Sequence, residues 1–114
     1  MDKVTDLRLA DFPTLTTVLP DGTVVHVCAP TVELVNELRA SSRKLTAILN
    51  GEEGDARTKK AVYELAAKLL NCNDDDFSVT AEDLAVTHRT SLRALKVFFD
   101  DYADFIRLIE NEKN

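Results

Sequence analysis

The sequence predicts a mostly helical α+β domain, with a β-hairpin over residues 14–29 followed by three helices, the last of them long. Three observations support this prediction. β-Branched residues flank an Asp-Gly turn near the N-terminus, apolar residues recur at helical spacing in three later segments, and no Gly or Pro interrupts residues 81–110. The 114 residues fit a single domain, and 45% of them are hydrophobic, which is enough to form a core.

The first elements are expected within residues 1–29. Residues 1–13 give a weak signal and are predicted to form an arm or a short strand. Residues 14–29 are rich in Thr and Val, which favour strands, and Asp21-Gly22 lies between the two runs. Asp-Gly supplies the positive φ angles that a tight hairpin turn needs. Residues 14–29 are therefore predicted to form a β-hairpin.

Three helices are predicted from the spacing of the apolar residues, and they cover residues 31–50, 56–70 and 81–110. Thr31 and Thr80 stand where an N-cap is expected, since their hydroxyls can accept from the first free N–H groups of a helix. An unbroken last helix would be about 45 Å long at 1.5 Å per residue. A compact domain of this size is about 35 Å across. The last helix is therefore expected to extend beyond the domain unless it kinks at residues 87–91.

The last predicted helix carries an apolar stripe that is rich in aromatic residues. If the helix extends beyond the domain, the stripe is exposed, and exposed apolar patches of this kind mark interaction surfaces. Burial of the stripe against the two earlier helices is the alternative. The residues expected to bind a protein partner, or a second copy of the chain, are Leu95, Phe98, Phe99, Tyr102, Phe105, Ile106 and Ile109.

The charge of the chain disfavours two kinds of partner. Its net charge is −6, from 14 basic and 20 acidic residues. Nucleic acids and anionic membranes attract clustered Lys and Arg, so neither is expected as a partner. No run approaches the roughly 20 apolar residues of a membrane span, and the N-terminus lacks the pattern of a secretory signal. A cytoplasmic location is the expectation, with Cys28 and Cys72 as reduced thiols.

One segment matches a calcium-binding loop in part. Counted from residue 71, side chains that carry oxygen occupy positions 1, 3, 5 and 12, as they do in an EF-hand. Position 6 lacks the Gly that the sharp turn requires, and position 8 lacks an apolar residue. The alternative is a polar loop between two helices. The candidate metal ligands in this incomplete motif are Asn71, Asn73, Asp75 and Glu82.

No catalytic set assembles from the sequence. His26 and Cys28 share a strand face, but alternate residues of a strand point side by side rather than towards one atom, so a packed face is the expected role. His88 is expected to be a hydrogen-bonded histidine in the core or at an interface. There is no GxSxG, no HExxH and no Gly-rich phosphate loop. We therefore expect a protein without enzymatic activity and without a cofactor.

Five short segments, in this order, resemble those of a known family. They are APTVEL at 29–34 after a β segment, LLN at 69–71 before an acidic turn, VTAEDL at 79–84, YADFI at 102–106 and a polar end, ENEKN, at 110–114. The arrangement resembles the small tail assembly chaperones of long-tailed bacteriophages and of prophages of Gram-positive bacteria. The resemblance covers roughly residues 22–114, and it lies in the order and the residue character of these segments rather than in a diagnostic motif.

The resemblance implies a binding function in the bacterial host cytoplasm. Such proteins bind the long, largely helical tape measure protein, keep it soluble and help tail-tube subunits to polymerise around it. A longer form made by ribosomal frameshifting is typical of the family. An acidic chain with an apolar helical stripe is compatible with such a client. Two alternatives stay open: a calcium-responsive module, and an acidic inhibitor of a DNA-binding protein that acts through Asp100, Asp101 and Asp104.

Overall fold

The computed structural model describes residues 14–50, 56–73 and 75–112, with side chains up to Ile109. Its elements are β1 (Leu15–Val18), β2 (Val24–Val27), α1 (Val32–Leu49), α2 (Ala56–Leu70), α3 (Ala81–Val86) and α4 (Leu92–Glu112). The mostly helical α+β class with an N-terminal hairpin is confirmed. The number of helices is corrected from three to four in the described part of the chain. The arm predicted at residues 1–13 lies outside the described residues.

The hairpin turns at the predicted Asp-Gly step. Gly22 has a φ of +94°, a conformation that residues with a side chain rarely adopt, and its N–H donates to the Leu19 carbonyl at 2.8 Å. β1 and β2 pair in antiparallel fashion, with Leu15 opposite Val27. On its other side β2 is bridged by the segment after α2, where Asn73 stands opposite Val27. β2 is therefore flanked on both sides, and β1 forms the edge of the sheet.

The predicted N-caps of the helices are present. The Leu34 N–H donates to Thr31 Oγ1 at 3.3 Å at the start of α1, and the Asp83 N–H donates to Thr80 Oγ1 at 3.1 Å at the start of α3. Each cap satisfies one of the N–H groups that have no partner within the helix. The bounds of α1 and α2 lie within a residue of those predicted.

The single helix predicted over residues 81–110 is in fact two helices, α3 and α4. The break between them lies at residues 87–91, where a kink had been expected if the helix did not extend beyond the domain. Arg89 has a φ of +53°, which an α-helix cannot contain. Ser91 caps the start of the next helix, since its Oγ accepts a hydrogen bond from the Ala94 N–H at 3.1 Å. At 21 residues, α4 is about 32 Å long. It is therefore shorter than the roughly 35 Å width of a compact domain of this size.

The core forms where α4 packs against α1, α2 and the inner face of the hairpin. Val25 and Val27 of β2 are fully buried, while Val24 and His26 on the opposite face of the strand are exposed. This alternation follows from the two-residue period of a strand. The buried cluster includes Leu38 and Leu45 of α1, and from the other helices Val62, Leu65, Leu69, Leu70, Leu84, Leu95, Phe99 and Tyr102.

Candidate protein-binding surface

The apolar stripe that was expected to bind a partner lies in the core, so the expectation that it is exposed is wrong. Phe99 and Tyr102 are 0% exposed. Leu95, Phe98, Phe105 and Ile106 are also buried, and Ile109 is half-buried. The stripe is covered because α4 turns back onto the domain after the break at Arg89 and meets α1 and the hairpin. A periodic apolar stripe is equally compatible with both outcomes.

Tyr102 shows how closely the stripe is tied to the hairpin. Its hydroxyl donates to the Cys28 carbonyl at 2.7 Å, just after β2. Burial of the phenol disfavours its charged form and raises the pKa of Tyr102 above its ordinary value, and the nearby Cys72 and Cys28 thiols act in the same direction. The Cys28 N–H in turn donates to the Cys72 carbonyl at 2.7 Å. Neither Cys28 nor Cys72 forms a disulfide within the described part of the chain.

In the partial calcium-binding motif, Asn71 and Asn73 form hydrogen bonds with the backbone of the loop between α2 and α3. Asn71 pairs with the backbone of Val79 through both ends of its amide, at 2.8 and 3.0 Å. Asn73 Oδ1 accepts from the Asp75 and Phe77 N–H groups at 2.9 and 3.2 Å. Glu82 is exposed in the first turn of α3. The alternative expectation of a polar connecting loop fits this arrangement.

A carboxylate of this loop holds the hairpin. Asp75 Oδ2 accepts from the His26 backbone N–H at 2.6 Å, and both of its oxygens lie 3.1 Å from His26 Nδ1. The hydrogen bond from the His26 backbone is the main cause that lowers the pKa of Asp75. The backbone and the ring of His26 are therefore both held by Asp75. Within the described ranges, no group of three or more His, Cys, Asp or Glu side chains is placed to hold a metal ion.

The second histidine of the chain joins the hairpin turn to the break between α3 and α4. His88 Nδ1 lies 2.7 Å from Asp21 Oδ2, and the His88 ring makes an edge contact with Phe77 at 5.7 Å between ring centres. This agrees with the expectation of a hydrogen-bonded histidine. The pKa of Asp21 is lowered, first by the hydrogen bond from the Thr23 backbone and then by its contacts with Thr23 and His88 side chains.

A groove between β1 and α4 is the concave surface that the sequence did not reveal. We call it the β1–α4 groove. Its first part has a volume of about 320 Å³, and its second part, towards the C-terminal half of α4, has about 420 Å³. The two parts adjoin, since Leu15 and Asp101 line both. The walls of the first part are chiefly apolar and include Leu19, Leu70, Leu84, Ala94, Leu95, Val97 and Phe98.

The rim of the β1–α4 groove exposes large apolar side chains. Val18 of β1 is 64% exposed, and Val97 and Leu108 of α4 are 61% and 62% exposed. On α4, Ala94, Val97, Asp101, Asp104 and Leu108 follow one another at spacings of three and four residues and therefore share a face. This face lies beside the buried stripe. The face of α4 that the fold leaves exposed is therefore adjacent to the predicted interaction stripe and is not the stripe itself.

The acidic run of α4 is partly neutralised by its own helix. Lys96 Nζ lies 2.6 and 2.7 Å from the two oxygens of Asp100, and Arg107 lies 3.3 Å from Asp104. Asp101 makes no ion pair among the described side chains, and it lines both parts of the groove. The groove therefore combines apolar walls with one unpaired carboxylate at its middle.

Comparisons with known proteins return no match of significance among protein-family models, curated proteins or solved structures. In the described part of the chain, no helix is both long enough and apolar enough to cross a membrane. The assignment of the candidate surface therefore rests on the structure and not on a known relative.

Proposed function

We propose that this chain is a non-enzymatic binding protein of the host cytoplasm, a tail assembly chaperone that holds a segment of a tape measure protein during phage tail assembly. The observation that carries the proposal is the β1–α4 groove with its exposed apolar rim at Val18, Val97 and Leu108. Exposed apolar side chains gathered along a groove are typical of an interaction surface. The family resemblance supplies the identity of the client.

The chemistry of the groove favours an amphipathic helix as its occupant. Apolar side chains of such a helix, spaced three and four residues apart, would cover Val97 and Leu108, which lie on one face of α4. Asp101 has no ion pair among the described residues and would attract a Lys or Arg of the client. The net charge of −6 would favour encounter with a basic segment and oppose an acidic one.

The arrangement of charges is less suited to the alternative of an acidic inhibitor that imitates DNA. Such a surface needs a run of free carboxylates, because binding through phosphate-like charges depends on their number. Asp100 and Asp104 are paired with Lys96 and Arg107 on the same helix, which leaves Asp101 as the free carboxylate of the three. The groove beside them is chiefly apolar.

The test is co-expression with a tape measure protein from the same genome, with soluble client and co-purification as the readout. We expect a stable complex with the wild-type chain. Val97→Lys removes an apolar contact of the rim and places a cation opposite a basic client, so it is expected to weaken binding by at least about tenfold. Val32→Lys is the matched control, because Val32 is also an exposed helical valine, at 77%, and does not line the groove.

Two outcomes would contradict the proposal. A client that stays insoluble beside a free, folded wild-type chain would remove the chaperone function. Equal loss of binding in Val97→Lys and Val32→Lys would show that the added charge, and not the groove, determines the effect.

A further inference from the structure

A second concave surface lies between α1 and α4, and its charge is opposite to that of the β1–α4 groove. We call it the α1–α4 cleft, and its volume is about 340 Å³. Its floor is apolar, with Leu38 and Ile106 buried where the two helices pack. Its walls carry three guanidinium groups and one carboxylate. The cleft therefore combines an apolar floor with a basic rim.

Two of the guanidinium groups stand side by side on α1. Arg39 and Arg43 are four residues apart and therefore share one side of the helix. Both are exposed, and neither forms an ion pair with another described side chain. The planar fork of a guanidinium group matches the two oxygens of a carboxylate. The pair is thus available to an acidic ligand.

The carboxylates of α4 do little to neutralise this rim. Asp100 lines the cleft, but its two oxygens lie 2.6 and 2.7 Å from Lys96 Nζ. Arg107 lies 3.3 Å from Asp104, and these side chains are 73% and 68% exposed, so water weakens the pair. The cleft is therefore a basic site on a chain whose net charge is −6. An acidic ligand is repelled by most of the surface and attracted here, which favours a single position.

We propose that the α1–α4 cleft binds an acidic amphipathic helix of the client, with two carboxylates four residues apart that pair with Arg39 and Arg43. The inference rests on the proposed function and adds a second surface to it, with the opposite charge preference. Helices that pack side by side can pair residues at equal spacing, so Glu at i and i+4 of the ligand matches the two arginines. Apolar side chains of the ligand helix would cover Val35 and Ala103, which are half-buried in the lining.

A phosphate backbone would also be attracted by guanidinium groups, but the cleft is poorly suited to a nucleic acid. Affinity for DNA grows with the number of phosphates that a surface neutralises. The basic rim is short, and the acidic run of α4 at Asp100, Asp101 and Asp104 borders it. The apolar floor also offers nothing to a phosphate. An acidic protein segment fits both the rim and the floor.

The cleft can be tested without a tape measure protein, by NMR titration of the isotope-labelled chain with two synthetic helical peptides. One peptide carries Glu at i and i+4 beside a row of Leu, and the other carries Gln at both positions. We expect the Glu peptide to shift the signals of Val35, Ser42 and Ala103, with a Kd of about 1 mM. The Gln peptide is expected to bind about 3–10-fold more weakly, which is the effect of two exposed ion pairs. High salt should reduce this difference.

Variants of the two arginines separate the cleft from the charge of the whole chain. Arg39→Gln/Arg43→Gln is expected to abolish the preference for the Glu peptide. Arg57→Gln/Arg93→Gln is the matched control, because it removes the same charge from exposed helical arginines that do not line the cleft. Arg39→Glu/Arg43→Glu is expected to prefer a peptide with Lys at both positions, a reversal that a purely structural role would not give.

The inference is overturned if the Glu and Gln peptides bind the wild-type chain equally, or if the control variant loses the preference as the cleft variant does. It is also overturned if a DNA duplex shifts the same signals at a lower concentration than the Glu peptide, because the cleft would then select phosphate. These outcomes leave the proposed function standing, since a client can still bind through the β1–α4 groove. Conversely, a Glu preference that depends on Arg39 and Arg43, in a chain that fails to solubilise a tape measure protein, would support the cleft and remove the proposed client.

Discussion

Phe99 and Val97 lie two residues apart on α4, and the fold assigns them opposite roles. Phe99 is 0% exposed within the core, whereas Val97 is 61% exposed on the rim of the groove. Truncation of a buried Phe to Ala costs about 3–5 kcal/mol, since it removes apolar contacts and leaves a cavity. The better helix propensity of Ala offsets about 0.5 kcal/mol of this loss. Phe99→Ala is therefore expected to lower the free energy of unfolding by roughly 3–4 kcal/mol.

Urea unfolding followed by circular dichroism measures this loss. With a urea m-value of about 1.5 kcal/mol/M, a loss of about 4 kcal/mol lowers the midpoint by roughly 2.7 M. Val97→Ala is expected to change the free energy of unfolding by at most about 0.5 kcal/mol, because the side chain is already in water. If Phe99→Ala does not fold, Phe99→Leu should give a milder loss of about 1 kcal/mol.

The comparison has a clear contrary result. If Phe99→Ala unfolds with the wild-type midpoint, or if Val97→Ala costs as much as Phe99→Ala, α4 does not bury the stripe that the fold assigns to the core. The original expectation of an exposed stripe would then regain its support.

Three further predictions follow from individual contacts. Tyr102→Phe removes the hydrogen bond from the Tyr102 hydroxyl to the Cys28 carbonyl and is expected to cost about 1 kcal/mol in urea unfolding, so an unchanged midpoint would contradict that hydrogen bond. Because the pKa of Asp75 is lowered below its ordinary value of 3.8, its hydrogen bond with His26 contributes stability that is complete above about pH 5 and is lost as the pH falls through the lowered pKa. The stability difference between the wild type and Asp75→Asn should therefore shrink below pH 4 in pH-dependent thermal melts, and a constant difference would refute the linkage. Millimolar calcium should leave Tm unchanged, since Asn73 already accepts two backbone hydrogen bonds, and a rise in Tm would restore the calcium-responsive alternative.

Local signals allowed much of the fold to be predicted from the sequence. The Asp-Gly turn required a positive φ, and Gly22 has one. Thr31 and Thr80 were expected as caps and act as caps, because a cap depends on residues only three positions away. The helix bounds follow from apolar spacing for the same reason.

The break in the last predicted helix is indicated less clearly by the sequence than the hairpin turn and the helix caps are. Arg89 adopts the left-handed conformation without being Gly or Asn, so its residue type gives no warning. Only the excess length of an unbroken helix over the width of the domain indicated a kink at residues 87–91. Ser91, which caps α4, is the residue that could have placed the start of the second helix.

Which face of α4 is covered depends on contacts between residues far apart in the chain. The hydroxyl of Tyr102 meets the Cys28 carbonyl across 74 positions, and Asp75 meets His26 across 49. A periodic pattern shows that a helix has an apolar side but not which element packs on it. Likewise Asn71 and Asn73 have the chemistry of calcium ligands and of loop hydrogen bonds alike, and only the fold distinguishes the two roles.

The most direct test of the central claim is site-specific photo-crosslinking in cells that co-express a tape measure protein. A photoreactive amino acid is placed at position 97 on the rim of the β1–α4 groove, or at position 32 as the control outside it. We expect position 97 to crosslink to the tape measure protein and position 32 to give no adduct. Crosslinks from position 32 alone, or from neither position in a chain that co-purifies with the client, would contradict the assignment of the groove as the binding surface.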